Sequence, residues 1–217
     1  MTAGIRTDHS ALDPATRIER FSFGSDIETM QLVVPSMDHL SSYVAALETG
    51  WSPNNVRNVS AEQLADIREN PVAFIVGLSM QGGTITLPDG TMRPKLPFLA
   101  RWIWDGEFCG SISLRWQEGT DTLPPYVLGH IGYAVVPWKR GRGYATEALR
   151  RMLIEARSVG LKRLEITTDP DNLASQRVIE RNGGRYVDTF VNEHFGPEPH
   201  LRYVVELSPA ERGNKKP

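Results

Sequence analysis

At about 150 residues per domain, a chain of 217 residues and 24.2 kDa is one domain with extensions, large enough to bury a core without staples. Its 24 Lys and Arg nearly balance 26 Asp and Glu, and the net charge of −2 excludes a global basic field for coating nucleic acid. One cysteine, Cys109, excludes an internal disulfide and a cysteine-built zinc site; no window approaches the roughly 18 apolar residues of a membrane span, so a soluble, cytoplasmic chain without nucleic-acid or membrane partners is expected.

Residues 1–26 mix charge, Ser and Pro without a hydrophobic period and read as a flexible tail, as do residues 208–217, leaving a single domain over 27–207. Met30 to Val34 before Pro35 reads as a strand. Ser36 then caps a helix whose Leu40, Tyr43, Val44 and Leu47 follow the 3.6 period, and Gly50 ends it. Ser60, with Gln63 placed for a capping box, opens a second short helix that stops before Pro71. Leu87 to Thr91, with Pro, Asp and Gly between, is a turn between short extended pieces.

Asp105-Gly106 between the runs Phe98–Trp104 and Glu107–Trp116 predicts a hairpin, because Asp-Gly suits the primed turn that matches strand twist. Trp102, Trp104 and Trp116 on its faces read most simply as core or sheet cover. A third run, Val127 to Val136, ends at Pro137. The period then changes: Ala145, Ala148, Leu149, Met152 and Ala156 line one helix face, Glu147, Arg150, Arg151, Glu155 and Arg157 the other, and Gly160 closes it. Leu164 to Thr168 is a strand, and Asn172 to Asn182 is a helix stopped by Gly183-Gly184. Tyr186 to Val191 and Leu201 to Leu207 are the last strands. The expected order is β-α-α-β-β-β-α-β-α-β-β, an α/β layer architecture.

Chemistry concentrates at Val135-Val-Pro-Trp-Lys-Arg-Gly-Arg-Gly-Tyr-Ala145, where a strand leads into a helix. Glycines there let backbone approach a ligand, and first-turn amides lack helical partners, so a phosphate fits in front of them. Lys139, Arg140 and Arg142 add positive charge. The plain alternative is a solvated basic turn. A P-loop would need Gly-Lys-Ser/Thr, which is missing. A dinucleotide fingerprint would use Gly141 and Gly143 but finds Thr146 at its third glycine, and the acidic Asp169 lies 26 residues after Gly143.

Arg140-Gly-Arg-Gly-Tyr-Ala145 resembles the Arg/Gln-x-x-Gly-x-Gly/Ala pattern of the GNAT superfamily of N-acetyltransferases. His130-Ile-Gly-Tyr133 before the turn and Asn172-Leu-Ala-Ser-Gln-Arg-Val-Ile-Glu-Arg-Asn-Gly183 after it follow the family's order. The second motif is similar to ribosomal-protein N-terminal acetyltransferases and to acetyltransferases of unassigned substrate. The resemblance covers about residues 98 to 190, outside the Gly82 to Pro97 insertion. It implies the GNAT (acyl-CoA N-acyltransferase) fold, a mixed, mostly antiparallel central sheet flanked by helices. It also implies acetyl-CoA as co-substrate, no metal, and direct attack of a primary amine, of a small molecule or a peptide terminus, on the thioester. The cofactor-binding residues so implied are Val135 or Val136, whose backbone N–H would meet the developing oxyanion, then Arg140, Gly141, Arg142, Gly143, Tyr144 and Ala145 for the pyrophosphate. Asn172 and Ser175 would serve the pantetheine arm, though Asn172 also reads as a plain helix cap.

Proton handling departs from the family pattern. His130 stands where related enzymes often carry Glu, and an imidazole of ordinary pKa suits a general base at neutral pH, although a strand histidine also reads as a packed residue. Where many members carry a Tyr to protonate the leaving thiolate this chain has Ile179, and Ser175, one turn earlier, is the candidate acid. Tyr133 faces the side opposite His130, where core packing is the default. His9, His39, His194 and His200 lack metal-ligand spacing. The other function class is an acyl-CoA-binding regulatory module that kept the turn and lost proton chemistry. Exposed sheet edges are compatible with a homodimer.

Overall fold

The computed structural model describes residues 27, 29–54, 57–87 and 90–207, so both expected tails, and Pro88 and Asp89 of the expected turn, lie outside the described residues. The elements are β1 (Gln31–Val33), α1 (Met37–Glu48), α2 (Ser60–Glu69), α3 (Pro71–Gly77), β2 (Thr84–Thr86), β3 (Met92–Pro94), β4 (Phe98–Trp104), β5 (Phe108–Arg115) and β6 (Ile131–Val135), followed by α4 (Tyr144–Ser158), β7 (Arg163–Thr168), α5 (Leu173–Arg181), β8 (Arg185–Val191) and β9 (Pro199–Glu206). Two antiparallel sheets carry the fold, one in the order β1-β4-β5-β6 and one in the order β7-β9-β8. A separate two-stranded hairpin, β2–β3, occupies the Gly82 to Pro97 insertion.

Helices cover both faces of the first sheet. On one face Leu149 and Met152 of α4 and Ile179 of α5 pack with Ile112, Leu114, Ile166 and Tyr203. On the other, Tyr43 and Leu47 of α1 pack with Trp51, Trp102, Phe108 and Val136, and the Tyr43 ring stacks on Trp102 at 4.5 Å. Side chains alternate across a strand, which is why Ile112 and Val136 serve different cores.

Four expectations change. Pro71 starts a helix instead of only stopping one: it needs no N–H at the first helical position, and Asn70 Oδ1 accepts from the Ala73 N–H at 2.9 Å. No capping box forms at α2, because Ser60 is its first helical residue and Gln63 Oε1 accepts from the Tyr43 hydroxyl. Ser36 occupies the cap position of α1, but its hydroxyl meets His39 Nδ1 at 2.8 Å instead of capping. The third strand begins at Ile131, because the Val127 N–H is spent in a turn on Pro124 and the His130 N–H reaches across to Glu165.

That last bond positions the site. The sheets meet between β6 and β7 at one residue pair: His130 N–H donates to the Glu165 carbonyl (2.8 Å), and Glu165 N–H donates to His130 Nδ1 (2.9 Å). Past it the strands belong to different sheets and a split opens. Arg115 N–H to His130 carbonyl and Val136 N–H to Cys109 carbonyl mark the β6 positions that bond to β5. The intervening Ile131, Tyr133 and Val135 therefore turn their N–H and C=O groups toward the split.

Candidate active site

The turn from β6 into α4 stands at the mouth of the split. Gly143 is the N-cap of α4 with φ +88°, a left-handed conformation that side chains resist, and a Cβ there would come within 2.9 Å of Ile27 Cδ1. The following amides of Ala145 and Thr146 have no helical acceptor, and the first helical bond is Glu147 N–H to Gly143 carbonyl. With Gly141 also at positive φ (+75°), this is a bare backbone cradle at the positive end of a 15-residue helix. It suits a phosphate.

The charge beside the cradle is smaller than the sequence suggests. Lys139 is buried and donates to Asp105 Oδ2 (2.7 Å) and Glu107 Oε1 (2.8 Å), so its charge is spent inward on the Asp105-Gly106 hairpin. Tyr144 hydroxyl donates to the same Asp105 carboxylate. Burial pushes the Asp105 carboxyl up, but hydrogen bonds from Lys139, Tyr144 and Cys109 outweigh it and hold the group below the usual carboxylate range. Arg140 is exposed and its Nε donates to the Val135 carbonyl (3.1 Å); Arg142 is half-buried. The turn is thus clamped onto the β4–β5 hairpin.

Of the two backbone donors expected for the oxyanion, Val136 is corrected: its N–H is consumed by the Cys109 carbonyl (3.0 Å) and its side chain is core. Val135 N–H faces the split. Gly110, cross-strand from Val135, shapes this edge, because a Cβ there would run into the Ala134 carbonyl and reach 2.9 Å from Val135 Cα. No larger residue fits without moving β6.

His130 is fully buried, and Nδ1, the lone pair a base would use, accepts the Glu165 N–H. The ring proton therefore sits on Nε2, which is buried without an acceptor among the described residues. Burial, helped by the Arg115 charge, lowers the His130 pKa to about 4 despite the Glu165 contact. This geometry makes His130 a wedge at the vertex of the split and leaves no lone pair for an incoming amine.

Asn172 caps α5 through Oδ1, which accepts the Ser175 N–H at 3.0 Å. Ser175 Oγ lies 2.8 Å from Tyr133 Oη. Tyr133, read from the sequence as core packing, is thus brought to the candidate acid, and its strand parity with Val135 is the signal that could have marked it. Ile179 is fully buried in the core and closes against Gly184, so it faces no ligand.

The family model for the acetyltransferase (GNAT) domain matches residues 91–185. No curated protein matches the chain. Mycobacterium smegmatis RimJ, solved in complex with CoA-disulfide, is similar at a TM-score of 0.56 and 21% identity, covering 81% of this chain and 85% of its own. The microcin self-immunity acetyltransferase MccE, solved with acetyl-CoA and AMP, is similar at a TM-score of 0.53 and 15% identity, over 82% of this chain and 93% of its own. RimL, a ribosomal alpha-N-protein acetyltransferase solved with coenzyme A, gives a TM-score of 0.52 and 15% identity, over 82% and 94%. At these identities the likeness is one of fold.

Proposed function

We propose that this chain, whose residues 91–185 match the family model for the acetyltransferase (GNAT) domain, transfers the acetyl group of acetyl-CoA to a primary amine of a small molecule or a peptide terminus. The observation that carries the reading is the coincidence of three features at one place. A glycine-built helix N-terminus stands at the mouth, a split runs between the two sheets, and the outward backbone donor nearest that mouth, Val135 N–H, lies inside it. The RimJ, RimL and MccE structures, each solved with coenzyme A or a derivative, support the choice of ligand.

The thioester supplies an activated acyl carbon. Amides of Ala145 and Thr146 hold the pyrophosphate at the cradle, with Gly141, Gly143 and Tyr144 shaping it and Arg140 and Arg142 beside it. Asn172, through its amide, and Ser175 flank the pantetheine arm from α5. Val135 N–H, fixed by the ladder on either side of it, donates to the carbonyl oxygen as that oxygen gains charge, and such an oriented donor contributes about 3 kcal/mol. The amine nitrogen forms the new bond to the acyl carbon, the C–S bond breaks, and the sulfur leaves as thiolate. Ser175 donates its proton to that sulfur and is recharged through Tyr133.

No base is needed from His130 in this reading. An amine of lysine-like pKa is about 99.9% protonated at pH 7, so the neutral fraction attacks and water carries the second proton away. The reaction rate then rises with pH as the acceptor itself deprotonates.

Thiol release from acetyl-CoA across a panel of amines, polyamines and peptides tests the activity. Thermal shift with acetyl-CoA, CoA and NAD tests the ligand. CoA stabilisation without turnover on any amine would favour the regulatory module, and stabilisation by NAD alone would remove the reading altogether.

A further inference from the structure

On the sheet face opposite α4, Arg115 ends β5 with its guanidinium folded over Gly132 of β6, so close that a Cβ on residue 132 would stand 2.9 Å from Nη2. Parity fixes the face. Ile112 and Leu114 of β5 pack with α4, so Ser113 and Arg115 point the other way, as do Ala134 and Val136 two and four residues after Gly132. No hydrogen bond or ion pair reaches the Arg115 guanidinium from any described residue, although it is half-buried and burial lowers its pKa. A half-buried cation without a counter-charge is rare, because its desolvation is not offset.

The surroundings keep it so. Its cross-strand neighbour His130 is held neutral and has its N–H, not a lone pair, left over. The nearby carboxylates are engaged elsewhere: Asp121 accepts from the Lys162 N–H at 2.8 Å, and Glu165 stands between Arg163 and Arg202 at 3.9 and 4.0 Å. The His130 Nε2–H beside it is buried without an acceptor among the described residues, and Ser113 Oγ, near Gly132, donates to the Gly132 carbonyl at 3.5 Å.

We propose that Arg115 receives an anionic group of the acceptor, so that the substrates of this enzyme are amines that also carry a carboxylate. The inference rests on the acetyltransferase reading and names its substrate class. Guanidinium and carboxylate match as planar forks, which gives orientation as well as attraction. The spacing adds a constraint. Gly132 and Val135 are three residues apart, about 10 Å at the rise of a strand, so the acid lies several bonds from the reacting amine. An α-amino acid is too short. A peptide with a free C-terminus or an ω-amino acid spans the gap.

The test uses the full chain and ω-amino acids from glycine to 6-aminohexanoate, each beside its carboxamide. Wild type should prefer the acid over the amide in kcat/KM by about tenfold or more for the longer members, the range of a hydrogen bond to a charged group, and least for glycine. Arg115→Met should bring the acid down to the level of the amide and leave the amide rate unchanged, while Arg115→Lys keeps part of the preference. Gly132→Ala keeps the guanidinium but pushes it aside, and should reduce the preference in a protein that melts normally. Equal use of acid and amide by wild type overturns the proposal, as does an Arg115→Met variant that loses both substrates alike. If no amine is acetylated, the acetyltransferase reading fails separately. The site is then read by thermal shift with CoA present: stabilisation by 6-aminohexanoate but not its amide, absent in Arg115→Met, upholds it, and equal shifts overturn it.

Discussion

Tyr133 Oη and Ser175 Oγ lie 2.8 Å apart, tying the β6 edge of the split to the first turn of α5. Burial raises the Tyr133 pKa to about 12, so the phenol keeps its proton at neutral pH and can pass it to Ser175. Ser175→Ala should lower kcat about tenfold, or roughly 1.4 kcal/mol. Tyr133→Phe should cost less than that, and nothing further when Ser175 is already Ala. Kinetics of the four proteins in a double-mutant cycle measure this; additive losses would show that the two hydroxyls act separately.

The positive φ at Gly143 sharpens what a substitution there can report. Gly143→Ala alone should cost about 1–2 kcal/mol of stability from the left-handed backbone. Gly143→Asp adds a carboxylate facing the cradle, and should weaken CoA binding well beyond Gly143→Ala by titration calorimetry. Equal affinities in the two variants would mean that no anion sits at this helix terminus.

Lys139→Met should separate folding from binding. The Lys139 and Asp105 side chains are only 10% and 6% exposed, and removing one partner of a buried pair typically costs about 3–5 kcal/mol. CoA affinity should stay within about twofold, because this charge faces the hairpin. A large loss of affinity in a variant that still melts cooperatively would place Lys139 at the phosphate.

His130 predicts an acid-sensitive fold. Its folded pKa, about 4, lies below the ordinary value near 6.5, so between those values the unfolded chain binds more protons. Stability is complete above about pH 6.5 and falls as pH drops toward 4, by as much as about 3 kcal/mol from this group. His130→Gln keeps an acceptor for the Glu165 N–H and should flatten that part of the profile. Urea midpoints at pH 7.5 and pH 5 measure it. The kcat/KM profile, by contrast, should follow the acceptor amine in both proteins, and a limb that disappears with His130 would restore it as the base.

What could be read in advance follows from how local each signal is. The Asp105-Gly106 hairpin and the period of residues 145–156 predict β4, β5 and α4 closely, because turn chemistry and amphipathicity are encoded within a few residues. Helix α3 escaped, because Pro71 reads equally as a stop or a first residue, whereas β2 and β3 are the short extended pieces expected on either side of Leu87–Thr91, marked by the turn residues between them. In the site, the glycine cradle was visible as a motif. The inward pairing of Lys139 and the Nδ1 contact of His130 were not, since each depends on a residue 34 or 35 positions away. The same holds for Val135 against Val136, which only the ladder register distinguishes.

The split leaves two strand edges inside the molecule, with Ile131, Tyr133 and Val135 on one flank and the Glu165 side of β7 on the other. Strand edges that no neighbouring strand covers are templates for foreign chains, and most proteins protect them. A ligand bound along the gap shields those edges. During concentration or storage, protein prepared without CoA should therefore self-associate through these edges sooner than protein prepared with it, and light scattering of the two would register the difference.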